Sequence, residues 1–146
     1  MEIDRSAPAT AEGDIYIPAS PQVVWDVMSD IKSWPNWNPD IKAAVLEGPL
    51  APGTVFRWRA ATSLVSRLEV VDPPHEIAWT GTTMGIRAVH VYRFEVDDGG
   101  TLARSSESWD GFIPNMLKGY SRRTLREGIE KSLQRLRHEV ERRRPN

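Results

Sequence analysis

Residues 15–39 read I-Y-I-P-A-S-P-Q-V-V-W-D-V-M-S-D-I-K-S-W-P-N-W-N-P. Ile15 and Ile17 alternate with Tyr16, which is the period-2 mark of a strand over Asp14–Pro18. Ser20-Pro21 then opens a helix. Serine is a good N-cap, and proline at the first helical position gives up an N–H that has no intrahelical partner anyway. Val24, Val27, Met28 and Ile31 follow at i, i+3, i+4 and i+7, on one helical face. Trp25 lies one position past Val24 and predicts packing of this helix on a sheet. The Trp34-Pro35 and Asn38-Pro39 steps disfavour further helix, so a short second helix or turn is expected near 35–37.

Beyond Ile41 the apolar period changes from helical to alternating. Phe56 and Trp58 alternate with Arg57 and Arg59, Ile77 and Trp79 with Ala78 and Thr80, and Tyr92, Phe94 and Val96 with Arg93, Glu95 and Asp97. Six strands are expected, at 41–48, 54–61, 64–72, 76–81, 86–96 and 101–110. Gly, Pro and Asp clusters punctuate them, notably Asp72-Pro73-Pro74 and Asp97-Asp98-Gly99-Gly100. The short loops predict antiparallel neighbours. From Pro114 to about Arg143 the pattern predicts one long helix, with Leu117, Leu125, Ile129, Leu133, Leu136 and Val140 near one stripe. Gly128 and Ser132 beside that stripe suggest a close approach to the sheet. An antiparallel sheet must bury one face, and a long amphipathic helix laid across it does so. The expected fold is α+β: a helix-grip fold, a seven-stranded curved antiparallel sheet wrapped around a long C-terminal helix, with two short helices between strands 1 and 2.

The chain has 146 residues, of which 40% are apolar and 27% charged. That length predicts one domain able to bury roughly 70% of its unfolded surface, enough for a core and a cavity. The domain is placed at 13–146, with 1–12 an acidic, small-residue lead-in expected to be flexible. With no cysteine in the chain, disulfide and thiolate chemistry are excluded, in keeping with a cytoplasmic location. No apolar run approaches the ~20 residues that span a bilayer, so no membrane insertion is expected. Charge is uneven: residues 114–146 carry ten Lys and Arg against four Asp and Glu, a balance of +6, and the rest carries −7. Without aromatic residues interleaved among the arginines beyond Tyr120, this reads as a solvated helix face rather than a nucleic-acid surface.

Five segments in order carry a resemblance: I-P-A-S-P-Q-V-V-W-D-V-M-S-D at 17–30, W-P-N-W-N-P at 34–39, E-G-P-L-A-P-G-T at 47–54, V-D-P-P-H-E-I-A-W-T-G at 71–81 and E-S-W-D-G at 107–111. With the closing helix they cover about residues 13 to 143. The chain resembles the START/Bet v-like superfamily, also called SRPBCC, and within it the polyketide cyclase/dehydrase and lipid transport group. The resemblance implies a cavity between the inner sheet face and the last helix, apolar with a few polar groups.

The last hairpin can be paired from the sequence itself. With Asp98-Gly99 as the turn centre, Val96 meets Thr101, Phe94 meets Ala103, Tyr92 meets Ser105, His90 meets Glu107 and Ala88 meets Trp109. Turning Phe94 and Val96 inward turns Ala88, His90, Tyr92, Ser105, Glu107 and Trp109 inward with them. His90 and Glu107 become cross-strand neighbours ~5 Å apart at Cβ. A carboxylate there would fix one imidazole tautomer and raise its basicity. Three roles fit: a satisfied polar pair completed by Arg104 or water, a ligand contact, or an acid/base group with Tyr92. Trp58 and Trp79, with Phe56 and Leu68, lie on inward strand faces as candidate lining. Trp37 is expected at the cavity mouth. Met84, Met116, Leu117, Tyr120 and Thr124 are candidates on the rim and closing helix.

His75, His90 and His138 show no metal-ligand spacing. No phosphate loop and no Gly-x-Ser-x-Gly elbow occurs. Neither metal nor cofactor is expected. The leading expectation is binding of a small hydrophobic ligand (a lipid, a polyketide-like ring or another aromatic metabolite) by a monomer or homodimer. The alternative is a cofactor-independent aromatase/cyclase using His90, Glu107 and Tyr92. A third reading is a protein-interaction module built on the basic helix or the hairpin edge.

Overall fold

Ser20 caps the first helix as expected: its side chain accepts from the Val23 amide, and α1 runs Pro21–Met28 with Val24, Trp25, Val27 and Met28 buried. A 3-10 turn at Ile31–Ser33 leads into α2, the single turn Trp34–Trp37. A computed structural model describes residues 1–143. Residues 144–146, which include Arg144 of the basic tail, lie outside the described residues.

The strands are β1 Ala9–Ile17, β2 Ala43–Leu46, β3 Val55–Arg59, β4 Ser63–Asp72, β5 Glu76–Thr83, β6 Ile86–Asp97 and β7 Gly100–Asp110. They form one antiparallel sheet in the order β1-β7-β6-β5-β4-β3-β2. The hairpin register is the expected one, with Phe94 opposite Ala103 and His90 opposite Glu107. Asp98 and Gly99 both have positive φ, 45° and 76°, which a two-residue turn of this hand requires. Between Leu68 and Val70 the pairing slips by one residue at Glu69, a bulge that bends β4 around Trp79.

Several expectations need correction. The first strand starts at Ala9 rather than Asp14, because β7 is long enough to pair with it back to Trp109. The start of the chain is tied down too: Ile3 is buried against Ala78 and Val91 on the convex face, and the Met1 amino group lies 2.8 Å from Glu76. The last helix is broken. Phe112–Met116 forms a short α3 with Pro114 inside it, Leu117 leaves helical geometry, and α4 runs Lys118–Arg143. Val96 shares the inward face with Phe94 but is 77% exposed, since it sits at the hairpin tip beyond the layer covering Phe94. Finally, Gly128 does not mediate close packing; a Cβ there would meet nothing within 4 Å. The close approach is at Gly13 of β1, where a Cβ would lie 3.1 Å from Ile129 of α4.

The core lies between α1, α4 and the concave face. Leu133, Leu136 and Val140 of α4 join Ile17, Val24, Trp25, Ile77 and Phe94 in one cluster, with Trp25 edge-on to Phe94.

Candidate functional site

The concave face is not filled along its whole length. Under the first half of α4 a cavity of about 340 Å³ remains. Its walls come from alternate residues of the central strands, a direct product of the pleat: Trp58 from β3, Ser66 from β4, Trp79 and Gly81 from β5, Ala88, His90 and Tyr92 from β6, Glu107 and Trp109 from β7. Thr124, Gly128 and Ser132 close it from α4, and Trp34 and Trp37 from α2. A second hollow of about 430 Å³ lies on the sheet's other side among Arg67, Thr80, Arg87 and Asp110, without aromatic walls.

Trp34 organises the aromatic wall. Its ring stands edge-on to Phe56 and Trp58, at 5.6 and 5.8 Å between centroids, and 5.4 Å from Trp79. Its indole N–H donates to the Met28 carbonyl at 2.9 Å, fixing α2 beneath α1. Sequence reasoning does not place Trp34 among the lining residues. A signal for it exists, because positions 34 and 37 lie three apart and share one side of a helical turn.

A buried polar chain runs along the opposite wall. His90 Nδ1 lies 3.2 Å from Glu107 Oε1, and His90 Nε2 hydrogen-bonds Ser105 Oγ at 2.8 Å. The Trp109 indole N–H donates to Glu107 Oε2 at 2.8 Å. The Tyr92 hydroxyl is joined to Ser105 and Ser132. The imidazole packs against two rings, stacked on Tyr92 at 4.7 Å and tilted to Trp79 at 4.8 Å. Trp109 and Ser105, not Arg104, complete the pair. Arg104 is on the other face of β7, where it approaches Glu95.

Burial sets the charge state of this chain. It drives the His90 imidazolium down to about 3, opposite to the rise expected from a carboxylate neighbour. It lifts the Glu107 carboxyl to about 7, with the Trp109 N–H pulling back toward the ionised form. Burial also raises the Tyr92 phenol above its ordinary value, opposed by the Ser105 hydroxyl. The result is a neutral imidazole beside a carboxyl that exchanges its proton near neutral pH, within an apolar room. Such a group can donate to or accept from a carbonyl or hydroxyl.

Of the expected lining residues, Trp37, Trp58, Trp79, Ala88, His90, Tyr92, Glu107, Trp109 and Thr124 border the cavity. Phe56 and Leu68 are fully buried behind it as solid core. Ser105 is buried beneath His90 and Tyr92 and reaches the cavity only through them. Met84, Met116, Leu117 and Tyr120 are exposed instead. The break at Leu117 swings α3 against the β5–β6 turn, where Ile113 and Phe112 lie beside Gly85, and these side chains form an apolar outer rim. Residues not anticipated from the sequence include Met28, Ile41, Ser66, Gly81 and Ser132. Gly81 faces Ser66 on the neighbouring strand, and a Cβ on it would lie 2.6 Å from the Ser66 hydroxyl. That hydroxyl receives the Trp58 indole N–H at 3.0 Å.

The Trp37 indole N–H is buried and meets no acceptor, alone among the described side-chain polar atoms in this respect. A buried donor left unmade costs about 1–3 kcal/mol. Among the described residues no three His, Cys, Asp or Glu side chains converge as metal ligands, and no helix is long and apolar enough to cross a membrane.

The same architecture recurs in solved structures. A protein of Thermus thermophilus superposes with a TM-score of 0.77 at 16% identity, over 90% of this chain and 96% of that one. A START superfamily protein from Mycobacterium smegmatis gives 0.71 at 18% identity, over 91% and 97%. The Zhui aromatase/cyclase from Streptomyces sp. R1128 gives 0.73 at 18% identity, over 92% and 94%. At these identities the likeness concerns the fold alone. No curated protein matches the sequence. A sequence family does, over residues 8–141, nearly the whole of the sheet and closing helix described above. The chain therefore belongs to the family described as polyketide cyclase / dehydrase and lipid transport.

Proposed function

We propose that this protein binds a small hydrophobic molecule, such as a lipid, a polyketide-like ring or another aromatic metabolite, in the cavity under α4. The observation that carries this reading is the partly open space of about 340 Å³ walled by Trp34, Trp37, Trp58, Trp79 and Trp109. Leaving such a space open forgoes packing that a filled core would gain, and an apolar guest restores it at ~25 cal/mol per Å² of surface buried. Native mass spectrometry of freshly purified protein tests the reading. A bound small molecule, or uptake of naphthalene-sized aromatics that quench tryptophan fluorescence, is the expected result. A chain that takes up nothing from a broad lipid and aromatic library would refute it.

One observation favours a second reading, a cofactor-independent cyclase or dehydratase. The Glu107 carboxyl, lifted to about 7, sits beside a neutral His90 and opens on the cavity. A group with that affinity for a proton is matched to acid/base work on a ketone at neutral pH. Aldol closure of a poly-β-ketone with loss of water is the reaction to assay. His90→Ala and Glu107→Gln should each abolish turnover; full activity in both variants removes this reading.

A further inference from the structure

Among the fully buried side-chain polar atoms around the cavity a single one has no partner, and that exception points to what the occupant must bring. His90 and Glu107 are held by Ser105 and Trp109 at 2.8 Å each, and the Trp58 N–H is taken by Ser66 at 3.0 Å. None of these requires a ligand group. The Trp37 N–H has no acceptor, and its ring borders the cavity from the one-turn α2. Charge narrows the choice further. No Lys or Arg lines the space, whereas Asp40 and Glu107 do. Of the cations around Asp40, which include Lys42 and Lys131, Arg135 is already committed, donating to Asn38 Oδ1 at 2.9 Å and to Asp40 Oδ2 at 2.6 Å. A carboxylate ligand would be desolvated beside Glu107 in a space that no Lys or Arg lines, which is costly.

We propose that the cavity selects an uncharged, flat, mainly apolar molecule carrying an acceptor oxygen, and that the Trp37 indole N–H is the donor that recognises this oxygen. The proposal rests on the ligand-binding reading above and adds to it the ligand's charge, its polar group and the side chain that reads it. Trp37 thereby becomes a specificity-determining residue, while the aromatic wall supplies the bulk of the contact.

Three probes of similar shape test this with the full chain at pH 7: 2-acetylnaphthalene, 2-isopropenylnaphthalene, in which CH2 replaces the carbonyl oxygen, and 2-naphthoate. The ketone should bind about ten-fold or more tightly than the naphthoate. Trp37→Phe keeps an aromatic ring and removes the N–H, so it should weaken the ketone about five- to ten-fold and leave the alkene within about two-fold. Equal loss for ketone and alkene, no loss for either, or naphthoate binding as tight as the ketone overturns the proposal while leaving the cavity's role as a binding site intact. Failure of all three probes to bind overturns this inference, and the binding reading falls with it only when the broad lipid and aromatic library fails as well. A measurement that needs no variant is the indole region of a ¹H–¹⁵N spectrum of the wild-type chain. One indole N–H resonance should move downfield with the ketone and stay in place with the alkene; an indole region that treats the two alike also overturns the proposal.

Discussion

The two ends of the space under α4 have opposite fates, although one helix and one sheet enclose both. Toward the C-terminus, α4 presents Leu133, Leu136 and Val140, and these pack with Ile17, Val24 and Phe94 into solid core. Toward the N-terminus it presents Thr124, Gly128 and Ser132, four residues apart on one face, beside Leu125 and Ile129, and the space between them and the sheet stays open. The strand side does not cause the difference, because large rings line both ends. The helix does: over two turns small and polar residues flank the Leu125 and Ile129 stripe on the cavity side. The lesson is that a cavity can be set by what the closing element omits. Polar groups then become tolerable on the facing wall because they bond among themselves, as His90, Ser105, Glu107 and Trp109 do.

The sharpest way to break this contrast is to damage the packed end alone. Leu136 is fully buried. Leu136→Ala should cost about 2–5 kcal/mol in urea denaturation, the range for a large-to-small core change, yet leave the affinity of the folded protein for a neutral aromatic within about two-fold. A loss below about 1 kcal/mol would mean this end is loosely packed as well.

The next test uses pH and the hollow end. Glu107 has a folded value raised to about 7 from an ordinary 4.5, so its contribution to stability is present below pH 4.5 and is lost as pH rises through 7. His90 is lowered to about 3 from 6.5; its contribution is present above pH 6.5 and is lost as pH falls through 3. Between pH 4.5 and 6.5 the two slopes oppose each other and cancel. Glu107→Gln keeps an acceptor for Trp109 and removes the falling slope. The variant should gain on the wild type by up to about 1.4 kcal/mol per pH unit across that window, on the order of 2–3 kcal/mol in all. Parallel stability curves for the two proteins would mean that the carboxyl is not buried in the way described.

Filling the hollow end is a smaller perturbation with a larger functional effect. Gly128→Leu places a side chain where nothing lies within 4 Å of a Cβ. Helix propensity should raise stability by about 1 kcal/mol, since glycine is that much worse than an ordinary helix former. Binding of a naphthalene-sized probe should weaken about ten-fold or more, because the added side chain competes for the same volume. Unchanged affinity together with higher stability would place the ligand elsewhere.

Pattern makes most of the fold legible, and the site only in part. Period-2 alternation and the Asp98-Gly99 turn fix the β6–β7 register, and with it the placement of His90 opposite Glu107. Ser20-Pro21 fixes the start of α1 for equally local reasons. The misses lie where tertiary context decides. Around Leu117, Pro114 reads as a helix start and Gly119 as a weak point inside the helix, so the joint between α3 and α4 looks continuous; docking of α3 on the β5–β6 turn imposes it. Gly128 and Gly13 look alike in sequence, yet one faces open space and the other a helix at van der Waals contact, a difference that only the crossing of α4 over β1 creates. The protonation of His90 runs against the sequence-based expectation because depth of burial, not the identity of its neighbour, is the dominant effect.

The exposed rim defines where the hollow end stops, and it carries the smallest expected effect. Tyr120 is 69% exposed in the first turn of α4, one helical turn before Thr124, which does border the cavity. If the ligand is held by enclosed walls, Tyr120→Ser should change stability by no more than about 0.5 kcal/mol and affinity for a naphthalene-sized probe by less than about two-fold, since exposed positions contribute little to either. A ten-fold loss would mean that the occupant extends past Thr124 onto the rim. The functional volume would then exceed the cavity under α4, and the boundary between hollow and surface would shift by one turn of α4. Isothermal titration of the wild type and this variant with the same probe, side by side, decides between the two boundaries.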